Sequence, residues 1–295
     1  MITVYTALYP EAQELIRALA LKKDMTQKHF QVFADTDNQI QLVITGASAI
    51  AAASAVAERS TGRPPQDGDL LVNYGSCAGG ETFPVGTVSL CNKITEAASG
   101  RTFYPDMLYR HPFVEVEVKS YPVVQTDMEK AASAQEAGSS PSLADMEAAA
   151  IYQAGNYYYA PHQMLFVKVV TDHGNKESMP EMDEFREQMK KGTEQFLPFL
   201  YQLMELQKQE AGRRVQEQAL CSGVERQTQE WNAALCGSET MRAQLHQMLL
   251  YQACARQQKP QMENLYQKWQ ADGKLPAKDR REGKKILEEL RQTLL

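Results

Sequence analysis

The sequence predicts an α/β protein with helices on both faces of a largely parallel central sheet, followed by a small all-α region. Three observations predict it. Short β-branched and apolar runs alternate with helix-period patterns in the first part of the chain, the signature of strands buried between crossover helices. Clusters of glycine and small residues follow several of these runs, as at Gly75-Ser76-Cys77-Ala78-Gly79-Gly80, where tight turns leave a sheet. Beyond about residue 205 the strand signal stops and Gln, Glu, Lys and Arg take over. That shift marks a boundary, giving domains 1–208 and 209–295.

Each element has its origin in local chemistry. Ile2–Leu8 is a short strand-like run, and Pro10 opens a helix through Ala12, Leu15, Ile16 and Leu19, since proline suits a first turn whose N–H has no partner. Strands are expected at Phe30–Ala34 and Ile40–Thr45 with a polar turn between them, then an Ala-rich helix, Ala49–Glu58. Asp69–Tyr74 reads as a compact buried strand, and strand-like runs recur at Gly86–Leu90, Val114–Val118 and Pro122–Gln125. Residues 127–142 are rich in Ala, Ser and Gly and read as a loop. A helix over Leu143–Tyr158, a strand over Met164–Thr171 and a long helix from about Glu181 to Lys208 complete the first domain. Residues 209–295 read as four or five short helices, with apolar stripes at Met241, Leu245, Met248, Leu249, Ala253 and at Ile286, Leu287, Leu290, Leu294. Asp272-Gly273 supplies a helix stop.

Composition narrows the function classes. Hydrophobic residues at 43% and charged residues at 23% suit a globular chain with a real core. A formal net charge of −6 argues against a nucleic-acid coat or an anionic-membrane binder. The run Lys278–Lys285 is interrupted by Asp279 and Glu282 and lacks aromatics, so a solvated helix start is favoured over a nucleic-acid contact; a protein partner for the helical region stays open. No run approaches the roughly 20 apolar residues of a bilayer span, and Met1–Leu15 lacks the basic and apolar regions of a secretory leader. Five scattered cysteines without paired spacing read as reduced thiols of a cytoplasmic protein, with no zinc site and no other metal or cofactor called for.

Four places at the ends of strands carry chemistry-bearing residues: Glu11, the Gly75–Gly80 loop with Ser76, Met146-Glu147, and Asp172. In open α/β sheets ligands collect at the carboxyl ends of strands. Singly, each has a plain packing explanation. A glutamate in a first turn suits the helix dipole, Asp145 suits a helix cap, glycine turns after strands are common, and Asp172 could cap the helix or loop after it.

Their order is more specific. Tyr9-Pro10-Glu11 after a first strand, Asn73-Tyr74-Gly75-Ser76-Cys77-Ala78-Gly79-Gly80, Asp145-Met146-Glu147-Ala148-Ala149-Ala150 and Val167-Lys168-Val169-Val170-Thr171-Asp172 together resemble the nucleoside phosphorylase and 5′-methylthioadenosine/S-adenosylhomocysteine nucleosidase superfamily, over about residues 1–205. The resemblance implies a three-layer αβα phosphorylase/hydrolase-like domain with a mixed central sheet, a purine nucleoside as ligand, and a homodimer or higher homo-oligomer. It implies that Asp172 serves the purine N7 as acid, that Glu147 accepts from the ribose hydroxyls beside Met146, and that Glu11 orients and deprotonates water. Ser76 and Gly75 would line the site near the nucleophile. Phe103 and Tyr104 lie in a segment that nucleosidases lend across a dimer interface to close the 5′ side; the alternative for them is a packing loop.

The nucleophile divides the superfamily. Phosphorylases hold phosphate with arginines and backbone N–H groups. At the position two before Gly75, where an arginine is expected in the hexameric phosphorylases, this chain has Asn73, and the phosphate loop is replaced by Tyr9-Pro10-Glu11-Ala12. This favours hydrolysis, and the resemblance to the nucleosidases then implies a 5′-modified adenine nucleoside as the substrate. The wording Gly-Ser-Cys and Thr-Asp-His is closer to phosphorylases, and Arg101 and Arg186 are candidate anion ligands or solvent-facing residues. The stretch before Met146 is shortened, which leaves Tyr121 as either the base-stacking residue or a core residue. It also leaves open a nucleoside-binding protein without turnover whose tail engages a partner.

Overall fold

The computed structural model describes residues 1–127, 141–256 and 260–294. The chain divides into two compact units, Met1–Lys208 and Gln209–Leu295.

In the first unit the described residues form ten strands in one mixed sheet. β1 (Ile2–Thr6) is buried along its whole length, as a strand covered on both faces must be. Pro10 lies in the first turn of α1 (Tyr9–Ala18). The short β2 (Lys22–Lys23), β3 (Gln31–Ala34) and β4 (Ile40–Ile44) come next, paired antiparallel in sequence. In α2 (Ala49–Gly62) the Ser48 hydroxyl caps the helix by accepting from the Ala51 N–H. β5 (Leu70–Ala78), β6 (Val88–Glu96), β7 (Thr102–Phe103), β8 (Val114–Ser120), β9 (Ser142–Asp145), α3 (Ala148–Gly155) and β10 (Met164–Asp172) complete the sheet layer and its cover.

β1 lies between β4 and β5, parallel to both. β5 pairs parallel with β10, β10 antiparallel with β6, β6 parallel with β8, and β8 parallel with β9. β9 returns to β5 through the pair Ala144↔Ala78, so five strands close into a ring. The carboxyl ends of β1, β5 and β10 therefore open beside the end of β9.

Alternation along the strands builds a core on each sheet face. Leu165, Val167 and Val169 of β10 pack with Leu15 of α1 and with Met189, Phe196 and Leu200 of α4 (Met182–Ala234). Met164, Phe166 and Val170 pack with Ala52, Ala55 and Val56 of α2 and with Ile151 and Tyr152 of α3. The result is a three-layer αβα arrangement.

Several elements differ from the sequence reading. The sheet is mixed, as the superfamily resemblance implied, and not largely parallel as the strand–helix alternation suggested, because β6 runs against β10 and β9 against β5. β5 continues through Gly75-Ser76-Cys77-Ala78, since pairing with β10 carries the ladder past the glycine. Leu143-Ala144-Asp145 is a strand, not the start of a helix; its register against Val118–Ser120 of β8 outweighs local helix propensity. Pro122–Gln125 is not a strand. The expected loop over 127–142 falls mostly outside the described residues. α4 does not stop at Lys208 but runs to Ala234, passing through Pro198, because residues 205–234 hold many strong helix formers and no proline.

The second unit holds the remainder of α4 with α5 (Glu239–Arg256), α6 (Pro260–Ala271) and α7 (Arg280–Leu294). The described part of its core gathers Trp231, Leu235, Met241, Leu245, Leu249, Trp269, Ile286, Leu287 and Leu290. α6 ends as expected, with Gly273 at φ +71°.

Candidate active site

Glu11 is buried in the first turn of α1 and its carboxylate takes four donors. Oε2 accepts the N–H groups of Ala7 and Leu8 at 2.9 Å each. Oε1 accepts the Ser76 N–H at 2.8 Å and the Ser76 hydroxyl at 2.7 Å. Gly75 makes this approach feasible, because a Cβ there would sit 3.2 Å from Glu11 Oε1. The end of β5 thus clamps a carboxylate that belongs to α1.

A second knot fixes the start of α3. Asp145 ends β9 and its Oδ2 accepts the Ala148 N–H at 2.8 Å, while Oδ1 accepts the Ser120 hydroxyl at 2.5 Å. Ser120 Oγ in turn accepts the Ala149 N–H. These bonds satisfy two of the free N–H groups of the helix start. Lys168 Nζ of β10 meets Asp145 Oδ2 at 2.6 Å, with side-chain exposures of 1% and 0%. Burial pulls the lysine pKa down, but the Asp145 and Glu147 charges outweigh it and hold Lys168 above its ordinary value.

Met146 and Glu147 occupy the turn between β9 and α3. Burial drives the Glu147 carboxyl up to about 7; the neighbouring Asp145 and Glu11 charges add to that, and Lys168 opposes it. Asp172 ends β10. Its Oδ1 accepts the Gly174 N–H at 2.8 Å and its Oδ2 the Thr171 hydroxyl at 3.2 Å. Desolvation raises its pKa in spite of these donors and the nearby His173. His173 donates from Nδ1 to the Gly80 carbonyl at 2.6 Å, which holds the turn after Asp172 against the end of the glycine loop.

These residues converge. A pocket of about 190 Å³ is lined by Ala7, Leu8, Glu11 and Ala47 from the α1 and α2 sides, Ser76–Ala78 from β5, Ala144–Glu147, Thr171-Asp172, and Val123–Gln125. Glu11, Asp145, Glu147 and Asp172 are all among its lining residues, with the Asp145 carboxylate itself buried against Lys168, and among the described residues no arginine or lysine lines it. The second unit has a larger groove of about 390 Å³ between α5 and α7, but its charged lining residues Lys284, Glu288 and Arg291 are exposed, with Glu288 paired to Arg291 at 3.9 Å. The chemistry points to the smaller pocket.

The remaining candidates lie elsewhere. Gly75 backs Glu11 without lining the pocket. Phe103 stacks on Tyr152 of α3 with ring centres 5.0 Å apart, and Tyr104 is exposed. Tyr121 is not among the lining residues. Asn73 is buried and donates to the Tyr5 carbonyl inside the sheet. Arg186 pairs with Asp183, and Arg101 is exposed. The sequence reading missed Asp145 as part of the pocket, the wall at Val123–Gln125, and Lys168. Lys168 did leave a signal: a lone lysine inside Met-Leu-Phe-Val-Lys-Val-Val is out of place in a buried strand unless it is paired.

No protein-family model and no curated protein sequence matches the chain. Solved structures do match in fold. The 5′-methylthioadenosine/S-adenosylhomocysteine nucleosidase of Colwellia psychrerythraea 34H, solved in complex with adenine, is similar with a TM-score of 0.56 at 19% identity, over 69% of this chain and 94% of that one. The corresponding nucleosidase from S. pneumoniae, bound to the transition-state inhibitor MT-ImmA, gives a TM-score of 0.56 at 19% identity over 68% and 97%. The apo 5′-methylthioadenosine nucleosidase of Arabidopsis thaliana gives 0.54 at 16% over 70% and 95%. The chain carries the nucleoside phosphorylase/nucleosidase fold, with a helical C-terminal region in addition.

Proposed function

We propose that the protein is a purine nucleosidase, a hydrolase that cleaves the N-glycosidic bond of a 5′-modified adenine nucleoside of the methylthioadenosine, S-adenosylhomocysteine or 5′-deoxyadenosine type. The observation that carries the reading is the lining of the pocket: four acidic residues, of which Asp145 alone is ion-paired, and no lining cation among the described residues. A phosphate dianion needs charge-assisted donors, and no described residue of the lining carries a cationic one. Water has no such requirement. A ribosyl group gaining positive charge is in turn stabilised by an anionic wall.

Each residue then has a task. Asp172, its pKa raised by desolvation, carries a proton to N7 so that the base leaves neutral. Glu147 accepts from the ribose hydroxyls, with Met146 packed along the sugar. Three of the four donors to Glu11 are fixed backbone N–H groups, and the fourth is the Ser76 hydroxyl. When that hydroxyl swings aside, Oε1 is free to take a proton from the attacking water. The water oxygen bonds to C1′ as the C1′–N9 bond breaks, giving free base and a 5′-modified ribose.

The reading carries further expectations: a cytoplasmic setting, and a homodimer or higher oligomer in which exposed Tyr104 and Leu108 reach a neighbour's 5′ side. No helix among the described residues is long and apolar enough to cross a membrane.

The test is to incubate purified protein with the three nucleosides, with and without phosphate, and to follow free adenine. Release independent of phosphate, abolished in Asp172→Asn while binding persists, is expected. Strict dependence on phosphate would reassign the protein as a phosphorylase. Thermal stabilisation by nucleoside with no release from any of them would leave a binding protein.

A further inference from the structure

Four carboxylates in one pocket are costly unless a positive charge offsets them. Among the described residues the cation placed for this is Lys168. It stands on β10, the strand that ends in Asp172, beside Gly75 and Ser89 of the flanking strands. Its ammonium is buried against Asp145 at 2.6 Å. Asp145 holds the first N–H of α3 and, through Ser120, the second. Glu147 sits immediately before that helix.

The groups that act on Glu147 come from three elements besides its own turn. Lys168 of β10 favours the ionised form, while Asp145 of β9 and Glu11 of α1 oppose it; the Met146 backbone also hydrogen-bonds the carboxylate.

We propose that Lys168 is a positioning residue for the sugar-binding carboxylate. It pins Asp145, and through it the start of α3 that carries Glu147, and it supplies the positive charge that lets Glu147 meet the ribose as an anion. The inference rests on the nucleosidase reading above, and adds to it two residues that touch no reacting atom.

The test reads binding, so that proton transfer by Asp172 does not enter. The probe is 5′-methylthiotubercidin, an adenosine analogue with carbon in place of N7; free adenine, which has no ribose, is the control. In wild-type protein, nucleoside affinity is expected to fall as pH drops through about 7, where Glu147 takes up its proton. Lys168→Met combined with Asp145→Asn removes both buried charges together and keeps an oxygen for the Ala148 N–H, so no buried charge is stranded. With the ammonium gone, the start of α3 loses the contact that pins it and Glu147 loses the cation among its neighbours. The expected result is about tenfold weaker nucleoside binding at pH 7 and unchanged adenine binding. That selective loss supports the proposal. Adenine binding that falls by the same factor, or nucleoside profiles that superpose on wild type, would overturn it. If wild-type protein binds neither probe, the nucleosidase reading itself has failed and takes this inference with it.

Discussion

At the scale of single residues, Glu147 is held in a place that costs stability. Its carboxyl is raised from 4.5 to about 7, chiefly by burial. A raised folded-state value means that the folded protein binds a proton more tightly than the unfolded chain. The associated stability is present in full below pH about 4.5 and is lost as pH climbs through about 7. Above that, burying the ion costs roughly 3 kcal/mol. Glu147→Gln removes the titration. The variant should therefore gain stability relative to wild type as pH rises from 5 to 8, by up to roughly 3 kcal/mol, in urea unfolding at the two pH values. A difference between variant and wild type that does not change with pH would refute it. Glu11, Glu147 and Asp172 are legible in the sequence because each belongs to a short motif whose order is distinctive. Asp145 as a pocket residue is not, although it stands in the same motif. What fixes its role is Lys168, 23 positions further on, and Ser120 on another strand. Only the closed ring of strands brings those partners together.

At the scale of elements, local pattern reveals what local physics decides. β1, β4, α2 and β10 come from β-branched runs, alanine content and turn residues. β9 does not, because Leu143–Asp145 has no strand pattern of its own and becomes one by adding to β8. The continuation of β5 past Gly75 likewise depends on β10. The Val123–Gln125 wall reads as a strand in sequence, since an apolar run looks the same whether it faces a core or a pocket. α4 makes a sharper case. It crosses β10 at Gly192, where a Cβ would stand 2.6 and 2.7 Å from the two methyls of Val169. Val169 is fully buried and β-branched, so it has little room to turn aside. Gly192→Ala should cost roughly 2 kcal/mol, and because β10 carries Lys168 and Asp172 it should weaken nucleoside binding as well. Adding Val169→Ala vacates the space and should recover most of both losses. A Gly192→Ala protein that melts with wild type would show that α4 does not approach β10 this closely.

At the scale of the whole molecule, the two units have cores of different kinds. In the first, apolar side chains from a mixed sheet meet helices on both faces. In the second, the described core is helix on helix, centred on Trp231, Trp269 and the α7 stripe. Every residue lining the carboxylate pocket belongs to the first unit. Damage confined to the second core should therefore leave the pocket chemistry standing. Gly283 offers the means. It lies in α7, where a Cβ would fall 1.8 Å from the Leu235 carbonyl oxygen, a backbone atom that cannot step aside. Gly283→Ala should force α7 off its seat at a cost of roughly 3 kcal/mol or more. Two cores of this kind need not unfold together, so calorimetry should show an early transition in the variant that wild type lacks. Below that temperature, base release per molecule should stay within about twofold of wild type, a change of under ~0.5 kcal/mol in the barrier. If turnover instead falls in step with the loss of the second core, the helical unit contributes to the working enzyme, and the pocket is not self-sufficient within residues 1–208.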